Sequence, residues 1–457
     1  MPLRGYHSFL KGLSMVEKRG SQEKTKDKKV QLPEKIVATA MDKLTYLLRE
    51  TGDQMIHLVI TYEGHINFPI LKKAMEQSFA AEPILGCKFV EHPRKPFWIQ
   101  INPQDWKNFC QLINSREFEK ELYDFVTEEF DGTKDLPVKI CIFRQTNRDV
   151  LCLKVTHTAM DGAGMLEYMQ LLDKLYRELL KNPNFKAQPN LSGTRGLEQV
   201  LKHFKLQKKT RVFWQYKSPK PSWAFPWVDT KQTGRTFIVR RLPEERFQRI
   251  KRYGKERKAT INDILLVAFY RAFAKLTNAR YGERMVTVVT VNLRTYLEAK
   301  RAEAICNLST SIYPYLAIEK NELFEKTLQK VQEAMNRFKK NLPGIGSAFF
   351  VNNLFGRLPF RRLKKLTQKL IKKHLETKKT HPIFTNVGLV KKYQLTLGKL
   401  QPTDAYLITP IMFAPGFIFG MMTFEKKMSF SIGFCEGSYS RESVEQFLDY
   451  FIEELPR

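Results

Sequence analysis

One stretch constrains the fold of this chain more than any other. Residues 150–156, Val-Leu-Cys-Leu-Lys-Val-Thr, are rich in strand-forming side chains and end at His157. Four residues on comes Asp161, then Gly162-Ala163-Gly164, and an apolar pattern of helical period follows. The pattern predicts a strand, a tight turn and a helix start, with the histidine presented at the end of the strand. Irregular turns held on rigid elements are where reactive side chains tend to sit.

The residue types fit a chemistry. A histidine can be neutral near pH 7 and can take a proton from an attacking alcohol or amine. It works only if its ring is fixed and aimed. Gly162 and Gly164 permit positive φ angles or close approach to a ligand. Asp161 can anchor the turn by accepting hydrogen bonds or by pairing with a cation. The plainer alternative is a core histidine followed by an N-capping aspartate, a role that Asp161 also suits. With eight histidines and ordinary Asp and Gly usage, H-x-x-x-D-G should arise by chance about 0.02 times, so coincidence is a weak explanation.

His157-x-x-x-Asp161-Gly162, extended to x-Gly164, resembles the active-site motif of the chloramphenicol-acetyltransferase-like superfamily. That superfamily includes BAHD acyltransferases, nonribosomal-peptide condensation domains, alcohol acetyltransferases and wax ester synthases. Many members carry a second histidine just before the motif; this chain has Thr156 there, as BAHD enzymes also lack it. Further strings resemble the family in order. Thr260-Ile-Asn-Asp263 opens an apolar helix. Val291-Asn292-Leu293-Arg294 is similar to a strand end carrying an arginine. Cys306-Asn307-Leu308 stands where relatives show a glycine–asparagine pair. Phe384-Thr385-Asn386-Val387-Gly388 resembles an S-N-V-G string, and Ser429 to Phe434 resembles the final strand.

The resemblance implies an α/β fold of two similar sandwich domains with an active-site tunnel between them. It implies acyl transfer from a thioester, acyl-CoA or acyl carrier protein, to an alcohol or amine, with His157 as general base. Asp161 would turn away from the substrate and pair with Arg294, holding the loop. Thr385 and Asn386 would contact the oxyanion or the channel, although Asn-x-Gly also makes an ordinary turn after a buried strand. No permanently bound cofactor and no metal are expected; the donor is a co-substrate.

Composition sets limits. At 457 residues the chain should form more than one domain. The division expected from sequence is a flexible basic tail at 1–34, an N-terminal domain at 35–182 carrying the motif, a linker at 183–235, and a C-terminal domain at 236–457. The linker is rich in proline and lysine, yet Trp214, Trp223 and Trp227 argue that it packs, with a short helix expected near 202–209. The net charge of +30 favours anionic partners such as phosphates or an acidic carrier protein; no nucleic acid is expected. Six cysteines lack C-x-x-C spacing, so zinc and redox motifs are unsupported. Residues 405–424 carry no charge but hold two prolines and two glycines, and read as two buried strands joined by a turn rather than a membrane span.

Residues 361–375 form a basic amphipathic pattern with Leu363, Leu366 and Leu370 in one stripe. It reads first as a covering helix with a solvated basic face, and second as a peripheral contact with an anionic membrane or an acidic carrier. A cytoplasmic location is expected. Two rival functions remain open on the sequence: a stand-alone amide-forming condensation enzyme using carrier-bound substrates, and a basic scaffold that binds an anionic polymer or membrane.

Overall fold

The computed structural model describes residues 33–215, 219–277 and 281–456. The expected tail at 1–34 falls almost wholly outside the described residues.

The motif strand Arg148–Thr156 is central in a five-stranded sheet. Its neighbours are Met55–Glu63 and Val138–Arg144, both antiparallel to it. Alternation gives the strand two apolar faces. Leu151, Leu153 and Val155 enter the larger core beneath the helices Phe68–Ala81 and Gly162–Lys181, whereas Val150 and Cys152 pack on the other side with Phe125 and Val126. A strand buried on both faces needs an apolar run, which is what 150–156 supplies. Lys154 is the exception. It is fully buried, and its Nζ donates to the carbonyls of Phe125 at 3.0 Å and Glu128 at 2.7 Å. Those carbonyls lie at the C-terminal end of helix Phe118–Thr127, where a cation is favoured. Burial brings the Lys154 pKa down to about 8.

The second sheet has seven strands from the later half of the chain. Its centre is Ile383–Val390 beside Ile418–Phe424 and Lys427–Cys435. Phe269, Phe273, Phe384, Phe417, Phe419, Phe430, Phe447 and Phe451 fill its core. The helix Ile261–Thr277 lies there, opened by a reciprocal cap: Asp263 N donates to Thr260 Oγ1 at 3.1 Å and Thr260 N to Asp263 Oδ2 at 2.9 Å.

One strand crosses the expected division. Pro402–Ile408 joins the first sheet by pairing with Met55–Glu63, while Ile418–Phe424 stays in the second. The two strands read from 405–424 therefore belong to different sheets, and the turn between them spans the two halves. The segment expected as a linker packs closely, with Trp223 and Phe225 buried in the second core; Trp227 is half-buried and Trp214 exposed. The short helix expected near 202–209 holds over its second half, within the helix Leu206–Gln215; its first half is a turn after the short helix Glu198–Leu201.

Candidate active site

The turn after the motif strand is clamped from several directions. Asp161 caps the helix Gly162–Lys181 by accepting from Gly164 N at 2.7 Å. Its other oxygen accepts from Leu308 N at 2.8 Å. Arg294 Nη1 donates to both carboxylate oxygens, at 3.0 and 2.9 Å. The capping role and the ion-pair role weighed for Asp161 therefore coexist. Arg294 is not a surface strand end: its side chain is 3% exposed. Its Nε donates to Glu167 at 3.0 Å and its Nη2 to the Cys306 carbonyl at 3.0 Å. Motif turn, motif helix and the segment around Cys306 are tied through one guanidinium.

A second arginine, which sequence reading passed over, holds the same turn. Arg195 donates to the Ala159 carbonyl at 2.9 Å, to Asp42 at 2.8 and 3.1 Å, and to the Ile305 carbonyl at 3.0 Å. It lies in the segment expected to be a linker, where composition hid it.

Neither motif glycine has a positive φ. Gly164 is required by closeness instead. A Cβ there would stand 2.7 Å from the Cys306 carbonyl oxygen and 3.0 Å from Met160 Cβ. The close partner is the protein's own backbone rather than a ligand. At Gly162 a Cβ would meet only Val387, at 3.2 Å.

His157 is half-buried, and its backbone N–H donates to the Gln54 carbonyl at 2.7 Å. Burial lowers its pKa, partly opposed by the Asp161 charge, so the neutral ring is favoured. Asn307, from the segment across the turn, reaches it. Ser309 N donates to Asn307 Oδ1 at 3.0 Å, which fixes the amide orientation. Asn307 Nδ2 then donates to the His157 carbonyl at 3.3 Å and lies 3.0 Å from His157 Nδ1. With the amide so oriented, its contact with Nδ1 fits the tautomer in which Nδ1 accepts and Nε2 carries the hydrogen; backbone carbonyls of His157 and Met160 also lie by the ring, and engaging them instead gives Nδ1–H with the lone pair on Nε2.

His157, Asp161 and Gly162 line a cavity of about 340 Å³ with Thr290, Asn307, Thr385 and Asn386. Its remaining wall is largely apolar, from Leu44, Ile56, Val288, Leu370, Ile371, Met412 and Phe417 among others. The lining side chains come from both sheets and from helices of both halves. Thr156 and Thr158, the neighbours of His157 in sequence, line a second cavity of about 530 Å³, and Gln54 lines both. The second wall is mixed: Glu50, Asp53, Glu129, Asp131 and Asp135 stand with Arg49 and Arg235 among the aromatic rings of Tyr46, Phe89, Trp98, Phe130 and Phe413. His157 itself faces the apolar space, and its sequence neighbours Thr156 and Thr158 face the acid-bearing one.

Thr385 and Asn386 are paired with Gly420 and Met421 within the strand Ile383–Val390, not in a turn after it, and a bulge follows them at Val387 and Gly388: the register against Ile418–Phe424 shifts between Asn386 and Leu389, and Gly388 has φ of 92°. The Thr385 hydroxyl is 2.8 Å from that of Thr290. Asn386 Nδ2 donates to Asn262 at 2.8 Å and its Oδ1 accepts from Gly388 N at 2.8 Å. Asn307, Gln54 and Thr290 complete the wall. Of these only Asn307 had a sequence signal, the family string at 306–308.

The helix Phe360–Thr377 borders the apolar cavity through Thr367, Leu370, Ile371 and His374. The expected leucine stripe is split: Leu363 is buried, whereas Leu366 and Leu370 are each 52% exposed. The helix meets the first core over its first turn and the second core through Leu375 in its last, and its middle runs over the cavity.

Comparison with solved structures places this architecture. The first condensation domain of the calcium-dependent antibiotic synthetase superposes with a TM-score of 0.67 at 14% identity, over 92% of this chain and 95% of that one. Trichothecene 15-O-acetyltransferase from Fusarium sporotrichioides gives 0.67 at 12% identity, over 92% and 95%. Polyketide synthase associated protein 5 from Mycobacterium tuberculosis gives 0.62 at 14%, over 91% and 98%. At such identities the likeness is one of fold. No curated protein matches the sequence. The family model described as "Condensation domain" matches residues 46–343, which span the motif strand, both clamping arginines and Asn307, and on that match the chain belongs to the condensation-domain family.

Proposed function

We propose that the protein is an acyltransferase that moves an acyl group from a thioester to a hydroxyl or amine, with His157 as general base. The observation that supports this best is the setting of His157: a ring whose neutral form is favoured by burial, on the wall of an apolar cavity, with its sequence neighbours Thr156 and Thr158 on the wall of a second cavity. In the working tautomer Nδ1–H is donated to backbone carbonyl and Nε2 is free to accept. The acceptor's proton passes to Nε2 as its oxygen or nitrogen attacks the thioester carbonyl carbon. The tetrahedral oxyanion collapses, the carbon–sulfur bond breaks, and the imidazolium returns the proton to the leaving sulfur. Holding both reactants beside one base removes much of the entropic barrier. The Thr385 and Thr290 hydroxyls line the same cavity and would donate to the oxyanion. Asp161 and Arg294 keep the turn's shape without touching substrate.

The apolar cavity suits the acyl group, and the acidic one a hydroxyl- or amine-bearing acceptor. Family membership favours a second reading, in which the donor is carried on a carrier protein rather than on coenzyme A. One assay separates them: release of free thiol from acyl-CoA of graded chain length and from the same acyl groups on a carrier protein, each with alcohol and amine acceptors. His157→Ala should lose at least about 10²-fold in turnover while melting as the parent does. Equal turnover by that variant, or no release with any pair, would refute the mechanism.

A further inference from the structure

We infer that the helix Phe360–Thr377 is an interfacial docking element that sets the mouth of the apolar cavity against an anionic lipid surface. The inference goes beyond the acyl-transfer reading and does not depend on it, since binding needs no turnover.

The helix has two parts. Its start is anchored: Phe360 and Leu363 are buried, Phe360 N donates to the Arg94 carbonyl at 3.2 Å and Arg361 N to the Pro93 carbonyl at 2.9 Å. Beyond that turn the helix runs over the cavity until Leu375 meets the second core. Thr367, Leu370, Ile371 and His374 form part of the cavity wall. Leu366 and Leu370, one turn apart and therefore on one side, are each 52% exposed. Two half-exposed leucines on the rim of an apolar opening are costly to leave in water.

The charge on the helix says what covers them. The sequence FRRLKKLTQKLIKKHLET carries seven lysines and arginines against one acid, Glu376. Among the described residues Lys364 pairs with Glu91 and Lys372 with Glu376. Arg361, Arg362, Lys365, Lys369 and Lys373 are exposed and pair with no carboxylate there. Cations flanking an exposed leucine pair are the pattern of a helix lying in the plane of an anionic interface, with leucines in the acyl boundary and lysines at the phosphates. The contact is peripheral, because no described helix is long and apolar enough to cross a membrane. The cavity gives the arrangement a use. A lipophilic chain that enters from the bilayer past Leu370 and Ile371 reaches the cavity that His157 also lines.

The test is co-sedimentation of the full chain with vesicles of neutral lipid alone or with about 30% anionic lipid, at low salt and at about 0.5 M salt. Two rim variants are compared, Leu366→Ser with Leu370→Ser, and Lys365→Glu with Lys369→Glu and Lys373→Glu. The control is Lys251→Glu with Arg252→Glu and Lys255→Glu on the helix Glu244–Glu256, which makes the same change of net charge elsewhere. Melting curves check that each variant folds. Binding should require anionic lipid, and each rim variant should weaken it by about 30-fold or more while the control weakens it much less. No binding to anionic vesicles by the parent chain would overturn the inference. So would equal losses in rim and control variants, which would mean charge without a site, or capture of an acidic carrier domain at the rim with no vesicle binding.

Discussion

Replacing Arg294 by methionine removes the guanidinium but keeps much of the stem's apolar volume. Four charge-assisted hydrogen bonds are lost: two to Asp161, one to Glu167 and one to the Cys306 carbonyl. Two buried carboxylates then lack a cation. Asp161 keeps the N–H groups of Gly164 and Leu308, and Glu167 keeps that of Ala302 at 2.9 Å. Glu167 Oε2 already has no partner. Removing one member of a buried pair costs roughly 3–5 kcal/mol, because the other charge stays in low dielectric. The retained N–H bonds keep Arg294→Met near the middle of that range, about 4 kcal/mol. Residues 33–457 form one compact unit, and at about 2.1 cal/mol/K of unfolding entropy per residue 1 kcal/mol moves the Tm of so long a unit by about 1 °C, so a fall of about 4 °C is expected. The measurement is thermal and urea unfolding of Arg294→Met, Asp161→Asn and the double variant. The double variant should be more stable than the sum of the singles predicts by about 1–3 kcal/mol, since it strands no Asp161 charge. A loss below about 1 kcal/mol for Arg294→Met, or strict additivity in the cycle, would refute the idea that this pair sustains the turn.

Three further outcomes follow from the site. Gly164→Ala places a methyl 2.7 Å from the Cys306 carbonyl and should cost about 1–3 kcal/mol; an unchanged melting temperature would show that the helix start can shift freely. Asn307→Ala releases the His157 ring and carbonyl, so kcat should fall by about 10²-fold with KM nearly kept, and ¹⁵N shifts of the His157 ring should change; a loss under two-fold would dismiss Asn307 as a positioning residue. Stability should decline as pH falls below about 6.5. Burial depresses the pKa values of His57, His157 and His381, the last to about 4. Between a folded and a higher unfolded pKa the unfolded chain binds more protons, so stability rises with pH across that window and is lost on acidification. Urea midpoints that stay flat from pH 7 to about 4.5 would contradict this.

Strand and helix around the motif were legible because both are dictated locally. An apolar β-branched run must be a buried strand, and Asp161 ahead of a helical period must cap. The cap at Thr260 and Asp263 was legible for the same reason: its two hydrogen bonds join residues three apart. The bulge after Asn386 was not, because an extra residue is defined only against the neighbouring strand, which is Ile418–Phe424. The exposure of Leu366 and Leu370 was hidden too. Periodicity finds the face of a helix but not whether a core or an open cavity lies beneath it.

What the sequence determined by itself was the strand-turn-helix unit that presents His157, and the family string that placed Arg294 and Asn307 in order behind it. What only the tertiary structure decided was which distant groups meet there. Arg195 looked like one cation in a basic linker, yet it donates to the Ala159 carbonyl of the motif turn, and Pro402–Ile408 crosses to complete the first sheet. Gly164 is needed because the Cys306 carbonyl crosses over it. These contacts join residues scores to hundreds of positions apart, and propensity acts only over a few. Their geometry is set by the packing of two sheets against shared helices, a property that no local window of the chain contains.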